Sequence, residues 1–411
     1  MKSWYHEIMK QQIGLVMARS IDVRAWRKTT PVEVAKFLKG KSERKGASGS
    51  LVVIRSKLTQ ADVYAYLRAR FGKPNGFQNV LRKDDSDNLV HWDFNLKVAE
   101  VDVYVQGRMR DIMVMVSEPM ADSAWKALIL AIKADFARVG AEKSRMLKSF
   151  EKFLVFQNKF AALADQCADL HAGIVDAPQL VQKLPRLTTK RSLARYKTAM
   201  DKIAKRATGL YGDCLKLKLL TPIMAEAFLN MMILTFCKPE IRSDKAKYEA
   251  FLREKIPQRL EQISMNCVGF ARPVDPNTDA YKAFLRVMNG RNFAIHGNVD
   301  PVRETVETVY FEGKVPIFAE NGDHILKLFQ HLEAISAPQD VIRDYEAVHE
   351  FLVELQDLLA PRYREFFRHV IDDPYPGYEV KAKRVTKILP GHNAAMMFPN
   401  EKYDDELNVT W

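Results

Sequence analysis

The chain has 411 residues, a length typical of two or three domains, and 47% of them are apolar, which is ordinary for a chain that buries globular cores. The formal net charge of +12 favours a polyanionic partner, most commonly a nucleic acid, with a merely basic protein as the alternative. The four cysteines are widely spaced and match no zinc pattern, the first residues lack the apolar core of a signal peptide, and no uninterrupted apolar run approaches the ~20 residues of a membrane span. We therefore expect a cytoplasmic protein with reduced, buried thiols and no membrane contact.

Residues 1–142 carry the pattern of a small mixed α/β domain. Thr29-Thr30-Pro31 predicts a helix start, and Thr59 caps a second helix that reaches about Phe71. Apolar runs and period-two alternation predict four strands, at 51–54, 92–98, 101–105 and 112–116, before a helix from Ser123. The order β-α-β-β-β-α predicts an antiparallel sheet with helices on one face. Because no catalytic motif occurs here, we expect a sensing, docking or dimer-forming module.

Residues 143–218 are predicted to form a helical connector with a basic face. An amphipathic run covers 143–172, and a window from Lys183 to Lys218 holds eleven basic residues against Asp201 and Asp213. This face can follow an RNA backbone, or it can simply be a solvated helix surface; the sequence leaves both interpretations open. The residues expected to contact RNA are Lys190, Arg191, Arg195, Lys202 and Arg206.

Residues 219–371 are predicted to form a larger all-α bundle, so the expected fold class is α+β. Thr221-Pro222 is interpreted as the start of a helix that is almost wholly apolar except for Glu226 and Asn230, which lie four apart on one face. These two residues either form a structural ion pair in the bundle or support a site formed by a later helix. Further helices are expected at 244–267 with a break at Pro257, from about 279, at 323–334 and at 338–370 with a break at Pro361. Short strands are expected within 306–318, and 372–411 is predicted to be a tail that packs along the domain or reaches a second subunit.

The most informative stretch is Arg291-Asn292-Phe293-Ala294-Ile295-His296, followed by Gly297. The spacing predicts that Asn292 and His296 share one face of the last turn of an amphipathic helix, with Arg291 able to reach across. Gly297 suits a left-handed helix cap. A histidine moves a proton near neutral pH, and an arginine holds a phosphate, so the pair suits phosphodiester cleavage.

This hexamer resembles the R-N-x-x-x-H form of the signature of HEPN-domain ribonucleases, which are all-helical domains of toxins, abortive-infection proteins and RNA-targeting CRISPR effectors. The resemblance covers the hexamer and the helical context around it. It implies an endoribonuclease in which Arg291, Asn292 and His296 are catalytic and Glu226 and Asn230 are possible supporting residues. A glutamate on an early helix recurs in many HEPN proteins.

The resemblance also implies a mechanism and partners. The 2′-hydroxyl of RNA would attack the adjacent phosphorus without a metal or other cofactor, and the sequence offers no acidic cluster for a metal pair. Since this chain has one good copy of the motif, we expect a homodimer through the HEPN-like domain, with a composite site. The architecture is similar to that of abortive-infection proteins, in which a regulatory region restrains a toxic ribonuclease; a phage-derived or protein trigger would then act at the N-terminal domain.

Two other functions remain open from the sequence. The chain can be a catalytically inactive HEPN-like module that binds RNA or a protein, or an antitoxin-like partner of a nucleotidyltransferase. Loss of RNA cleavage in an Arg291→Ala or His296→Ala variant that still folds and binds RNA would favour the enzyme over the inactive module. Copurification with a nucleotidyltransferase, without ribonuclease activity, would favour the antitoxin-like partner.

Overall fold

The computed structural model describes residues 21–35, 49–78, 90–108, 110–177, 188–295, 301–302, 305–321, 324–388, 402–407 and 409. The chain divides into two compact units, one of Met1–Lys152 with Ile388–Trp411 and one of Phe153–Lys387. Each unit has a hydrophobic core of its own. The fold is α+β as predicted, with an antiparallel sheet on the N-terminal side and a mainly helical remainder.

The N-terminal unit is built on a five-stranded antiparallel sheet in the order β1-β3-β4-β5-β2. Its strands are β1 (Arg27–Lys28), β2 (Ser50–Ile54), β3 (Trp92–Val98), β4 (Val101–Gly107) and β5 (Ile112–Val116). The four predicted strands are confirmed because each buries an apolar run or face. The sequence did not predict β1, whose two residues are too few to show a period.

Among the described residues, the longer helices of the N-terminal unit are α1 (Gln60–Phe71), α2 (Asp122–Asp135) and α3 (Gly140–Ser149). Shorter helical segments lie at Val23–Ala25, 31–35 and Phe136–Val139. The Thr59 hydroxyl accepts a hydrogen bond from the Asp62 amide, so the predicted cap of α1 is confirmed. Near Pro31, Thr30 and Glu33 exchange side-chain and backbone hydrogen bonds in a capping box. The predicted end of that helix, near Gly40, lies outside the described residues.

Residues 402–407 and 409 pack on the N-terminal unit and contribute to its core. Tyr403 forms a parallel bridge with Val53 at the edge of β2, and the side chains of Leu407 and Val409 are buried in that core. The predicted tail of 372–411 is therefore divided between the two units, because 377–386 supplies two strands to the other one.

The second unit is a helical bundle. Its helices are α4 (Lys159–Val175), α5 (Lys190–Phe236), α6 (Pro239–Ser243), α7 (Lys245–Arg253), α8 (Ile256–Asn266), α9 (Asp279–Ile295), α10 (His324–Ser336), α11 (Pro338–Asp357) and α12 (Pro361–Ile371). A small antiparallel sheet, β6 (Phe153–Val155), β9 (Gly377–Glu379) and β10 (Arg384–Thr386), brings the two ends of the unit together. A separate hairpin consists of β7 (Val309–Glu312) and β8 (Val315–Phe318). The predicted breaks at Pro257 and Pro361 are confirmed, since both prolines lie in the first turn of a helix.

Helix α5 differs from its prediction because it continues through Pro222. A proline inside a helix removes one amide donor. The Thr221 hydroxyl donates to the Leu217 carbonyl within the same turn, which gives that part of the helix a hydrogen bond from a side chain. The boundary predicted between residues 218 and 219 therefore lies inside one helix of 47 residues.

The other predicted boundaries also differ from the observed division. The boundary at 142/143 lies inside α3, which belongs to the N-terminal unit, and the second unit begins at Phe153. The amphipathic run predicted over 143–172 is interrupted by β6, whose pairing with β9 is a contact between residues more than 200 positions apart. Short strands of this kind depend on a distant partner and leave no local pattern.

Among the described residues, one segment is long and apolar enough to cross a membrane by length and composition, Ser192–Phe236 of α5. Its most apolar window is 56% buried inside the protein. The core helix of a globular bundle has the same properties, and α5 contributes Leu217, Phe228 and Ile233 to the core of the second unit.

Candidate functional site

Helix α9 carries the first part of the hexamer in its last turn. The helix begins as predicted, with the Thr278 hydroxyl accepting a hydrogen bond from the Tyr281 amide at 3.2 Å. Tyr281, Phe284 and Met288 are buried on its apolar side. The backbone is helical through Arg291 and Asn292 to Ile295. The side chains of Arg291 and Asn292, and all of His296 and Gly297, lie outside the described residues, so their predicted convergence stays a prediction.

Contacts with α11 fix the direction of α9. The Tyr281 and Phe284 rings both contact the Phe351 ring, with centroids 5.8 and 4.4 Å apart, whereas Arg286 further along α9 pairs with Asp344 at 3.0 Å. The two helices are therefore antiparallel. With a rise of about 1.5 Å per residue, the last turn of α9 lies at the end of the bundle where α11 begins.

Glu226 and Asn230 of α5 both bind Arg259 of α8. The Arg259 Nη2 group donates to Glu226 Oε1 at 2.7 Å, and Nη1 donates to Asn230 Oδ1 at 2.8 Å. The arginine side chain is 4% exposed and the glutamate side chain 34% exposed, so a buried guanidinium meets a carboxylate that still faces the solvent. The structural ion pair considered from the sequence is present. The predicted contact between Glu226 and Arg291 stays a prediction, because the side chain of Arg291 lies outside the described residues.

Arg259 was not singled out from the sequence. The available signal was an arginine next to Leu260 and four residues before Ile263 in an amphipathic helix, a position where an unpaired charge is costly. The two acceptors on α5 then gain a physical role, because a planar guanidinium binds a carboxylate and an amide oxygen four residues apart on one helix face.

The basic residues predicted to contact RNA fall into two groups. Lys190, Arg195 and Lys202 are exposed along the first turns of α5, which begin with a capping box between Thr189 and Ser192. The side chain of Arg191 lies outside the described residues. Arg206 instead turns toward α10, where its Nη2 group donates to Glu333 Oε1 at 3.0 Å and its side chain is only 17% exposed. The periodicity placed Arg206 correctly on the helix, but it did not reveal the acidic partner from a distant helix.

An open groove lies beside the Arg206–Glu333 pair. Its volume is about 800 Å³, and its walls come from α4, α5, α10 and α11, including Leu210, Gln330 and Gln339. Since Pro338 and Gln339 line it, the groove lies at the same end of the bundle as the last turn of α9. A cavity of this size is within the usual range for small-molecule and nucleotide sites.

Within the part of the chain that the structure describes, no three His, Cys, Asp or Glu side chains are grouped as metal ligands. All four cysteines are free and buried, which confirms the predicted burial. Burial raises the pKa of Cys167 and of Cys214 to about 11 and that of Cys267 to about 12, so these thiols are poor nucleophiles. Burial, with a smaller contribution from His171, lowers the pKa of His349, whose ring packs on the Tyr345 ring.

Comparison with known proteins found no family model, curated protein or solved structure that matches this chain. Membership of the HEPN family is therefore a proposal that rests on the hexamer and on the helices around it.

Proposed function

We propose that this protein is a metal-independent endoribonuclease of the HEPN type that acts as a homodimer. The observation that carries the proposal is the position of Arg291 and Asn292 in the last turn of α9, a helix whose apolar side is anchored in the core while its last turn reaches the end of the bundle. A turn held by a helix that packs on the core is a suitable support for positioned catalytic groups. The arginine and asparagine of that turn, with His296 next after the helix in the sequence, would supply the functional groups that RNA cleavage needs.

The proposed chemistry uses the RNA itself as the nucleophile. His296 of one subunit removes the proton from a 2′-hydroxyl, whose oxygen attacks the adjacent phosphorus, and a proton is delivered to the departing 5′-oxygen. The products are a 2′,3′-cyclic phosphate and a 5′-hydroxyl. Arg291 stabilises the additional negative charge of the five-coordinate transition state, and Asn292 orients His296 or holds a phosphate oxygen.

RNA binding is assigned to the start of α5. Lys190, Arg195 and Lys202 are exposed, and Arg191 lies between Lys190 and Arg195 in the sequence, so the first turns of α5 form a basic stripe with spacings that a phosphate backbone can follow. Arg206 contributes less than the sequence suggested, since it pairs with Glu333. Binding through this stripe predicts a marked loss of affinity as the salt concentration rises.

We further propose that the nuclease is a cytoplasmic, regulated toxin of anti-phage defence, with the N-terminal unit as the regulatory part that receives a phage-derived or protein trigger. This setting follows from the resemblance alone. A catalytically inactive module that binds RNA or protein, and an antitoxin-like partner of a nucleotidyltransferase, are the competing functions.

The test is cleavage of a labelled single-stranded RNA by purified protein and by Arg291→Ala and His296→Ala variants. We expect each variant to cleave at least about a hundredfold more slowly, because each lacks a group that acts in the transition state. Arg286→Ala is the matched control, since this arginine lies on the same helix and forms a largely exposed pair with Asp344.

Three further measurements sharpen the result. A single 2′-deoxy nucleotide at the cleaved position should stop cleavage there, EDTA should not, and the 3′ product should begin with a 5′-hydroxyl. Equal cleavage by wild type and both alanine variants rejects the assignment of the site. RNA binding without cleavage in every preparation favours the inactive module, and copurification with a nucleotidyltransferase without any ribonuclease activity favours the antitoxin-like partner.

A further inference from the structure

The β7–β8 hairpin exposes apolar side chains on both of its faces. Tyr310 and Ile317 are opposite each other on one face, and Phe311 and Phe318 lie on the other. With Val315, these side chains are between 47% and 68% exposed. A two-stranded hairpin is marginally stable in water by itself, and apolar groups on both faces make its exposure more costly. The hairpin therefore has the character of an arm that needs a covering surface.

The two outer edges of this hairpin are chemically different. Gly313 and Lys314 form its two-residue turn, with Gly313 at φ +62°, so Glu312 and Val315 are a hydrogen-bonded pair. Bonded pairs then recur every second residue, and the Ala319 amide does donate to the Thr308 carbonyl at 3.1 Å.

By this alternation, Phe311 and Pro316 direct their backbone groups outward. Proline has no amide hydrogen, so the outer edge of β8 lacks a donor at its centre. The outer edge of β7 keeps the amide and carbonyl groups of Val309 and Phe311. The outer edge of β8 is thus protected against strand addition, whereas the outer edge of β7 is able to accept a strand.

The apolar area on the hairpin is close to what a dimer interface requires. The five side chains have surface areas of about 150–200 Å² each and are roughly 60% exposed, so together they present on the order of 500 Å² of apolar surface to the solvent. A standard interface buries about 800 Å² on each partner, of which about 60% is apolar, or roughly 480 Å². Pairing along the β7 edge covers the part of this area that lies next to the partner strand, around Tyr310 and Phe311, and adds the backbone hydrogen bonds of Val309 and Phe311.

We propose that the hairpin is the dimerisation arm of this protein and that its occupant is β7 of a second copy, paired antiparallel about a two-fold axis at Tyr310. Val309 then pairs with Phe311 of the partner subunit and Phe311 with Val309 of the partner subunit, which satisfies every outward backbone group of β7. The register opposes Glu312 to Thr308 of the partner subunit, so no like charges meet. Pro316 protects both outer edges of the resulting four-stranded sheet, and the assembly closes at two copies. The inference names a surface for the homodimer proposed above, and it does not depend on RNA cleavage.

The register is tested by single cysteine variants in the full chain. In Tyr310→Cys the two introduced thiols would face each other in a non-hydrogen-bonded pair, with Cα atoms about 4.5 Å apart and within disulfide range. Glu312→Cys is the matched control, because its two copies would be about 14 Å apart along the strands, out of reach. The four native thiols are buried and do not compete. With diamide as the oxidant, which takes up the two thiol hydrogens, we expect cross-linked dimers from Tyr310→Cys and at least tenfold fewer from Glu312→Cys.

The edge itself is tested by Phe311→Pro, which removes an outward amide that the hairpin does not use. Light scattering should give twice the chain mass for the wild type and a dissociation constant at least tenfold higher for Phe311→Pro. Pro316→Ala should leave the dimer intact, and far-ultraviolet circular dichroism should show that each variant keeps its helices.

A monomeric wild type at tens of micromolar overturns the proposal. A dimer that survives Phe311→Pro without cross-linking through Tyr310→Cys also overturns it, as does a hairpin covered by a different protein or by another segment of the same chain. If the protein is a dimer that never cleaves RNA, the proposed nuclease activity is wrong but the dimerisation arm still holds. If a monomer cleaves RNA, the dimerisation arm is wrong but the nuclease activity still holds.

Discussion

Asp404 is fully buried in the N-terminal unit, although it comes from a part of the sequence far from the rest of that unit. Its carboxylate accepts hydrogen bonds from the backbone amides of Arg55, Ser56 and Lys57 and from the Ser56 hydroxyl, at 2.9 to 3.3 Å. These amides follow β2, where the chain leaves the sheet and the strand ladder offers them no partner. One buried acidic side chain thus provides the acceptor for three backbone donors of a partly buried turn.

We expect Asp404→Ala to lower the free energy of unfolding of the N-terminal unit by about 3 kcal/mol, because three backbone amides and the Ser56 hydroxyl lose a charged acceptor. Asp405→Ala is the matched control. Asp405 pairs with the exposed side of Arg55, and its loss should leave the unfolding midpoint almost unchanged. Urea unfolding followed by tryptophan fluorescence measures both variants. An Asp404→Ala midpoint equal to that of Asp405→Ala would contradict this account of the turn.

At the scale of single residues, the sequence predicts contacts within one helical turn but not the partners that come from distant parts of the chain. The Thr59 cap and the start of α9 were predictable because each depends on residues within one turn. The partners of Arg206 and Glu226 were not predictable, since Glu333 and Arg259 lie 127 and 33 positions away. Asp404 shows no local pattern at all, because its role depends on amides almost 350 positions away.

At the scale of elements, Arg259 connects α8 to α5. We expect Glu226→Ala to destabilise the helical unit by about 2–3 kcal/mol, because the buried guanidinium loses its carboxylate. Asn230→Ala should cost about 1 kcal/mol, since one neutral acceptor is lost. Chemical denaturation followed at 222 nm provides the measurement, and similar losses for both variants would contradict the assignment of the main contribution to the ion pair.

A double variant separates the two roles of Glu226 that the sequence left open. Glu226→Leu with Arg259→Met replaces the pair by apolar groups of similar size and should restore most of the stability. If the restored protein cleaves RNA at the wild-type rate, Glu226 acts only as a structural residue. If it stays slow, Glu226 also orients the groups at the end of α9.

The elements themselves were largely predictable where their own sequence specifies them. The long strands β3 and β4 and the helices α9, α11 and α12 have clear periods, and prolines mark the starts of α11 and α12. The sequence failed for β1, β6, β9 and β10, which have two or three residues each and exist through pairing. It also failed at Pro222, where a signal that usually begins a helix lies inside one.

At the scale of the whole molecule, the two units have separate cores. Every buried residue of the helical core lies within 153–387, whereas the other core combines residues 23–132 with Leu407 and Val409. The length of the chain predicted two or three domains, and the boundaries between them were predicted from local sequence patterns. The observed division depends on two contacts between distant parts of the sequence, the pairing of β9 with β6 and the bridge between Tyr403 and Val53.

We expect residues 153–387 to fold when produced alone and to show one cooperative thermal transition with a helical spectrum. Residues 1–387 should keep that transition but lose a defined N-terminal unit, because Asp404, Leu407 and Val409 are missing from its core. Dye binding to exposed apolar surface and limited proteolysis will report that loss. An N-terminal unit that resists protease equally well without residues 388–411 would contradict the prediction.

The return of residues 402–409 to β2 also sets an order of events during translation. A ribosome releases the chain from its first residue onward, so α5 and α9 leave the exit tunnel while the neighbour of β2 has not yet been made. The helical unit can therefore fold before the sheet unit is complete. If the sheet unit restrains the helical one, every newly made molecule passes through an interval without that restraint. Its length includes the time needed to synthesise residues 388–409, on the order of seconds at 5–20 residues per second.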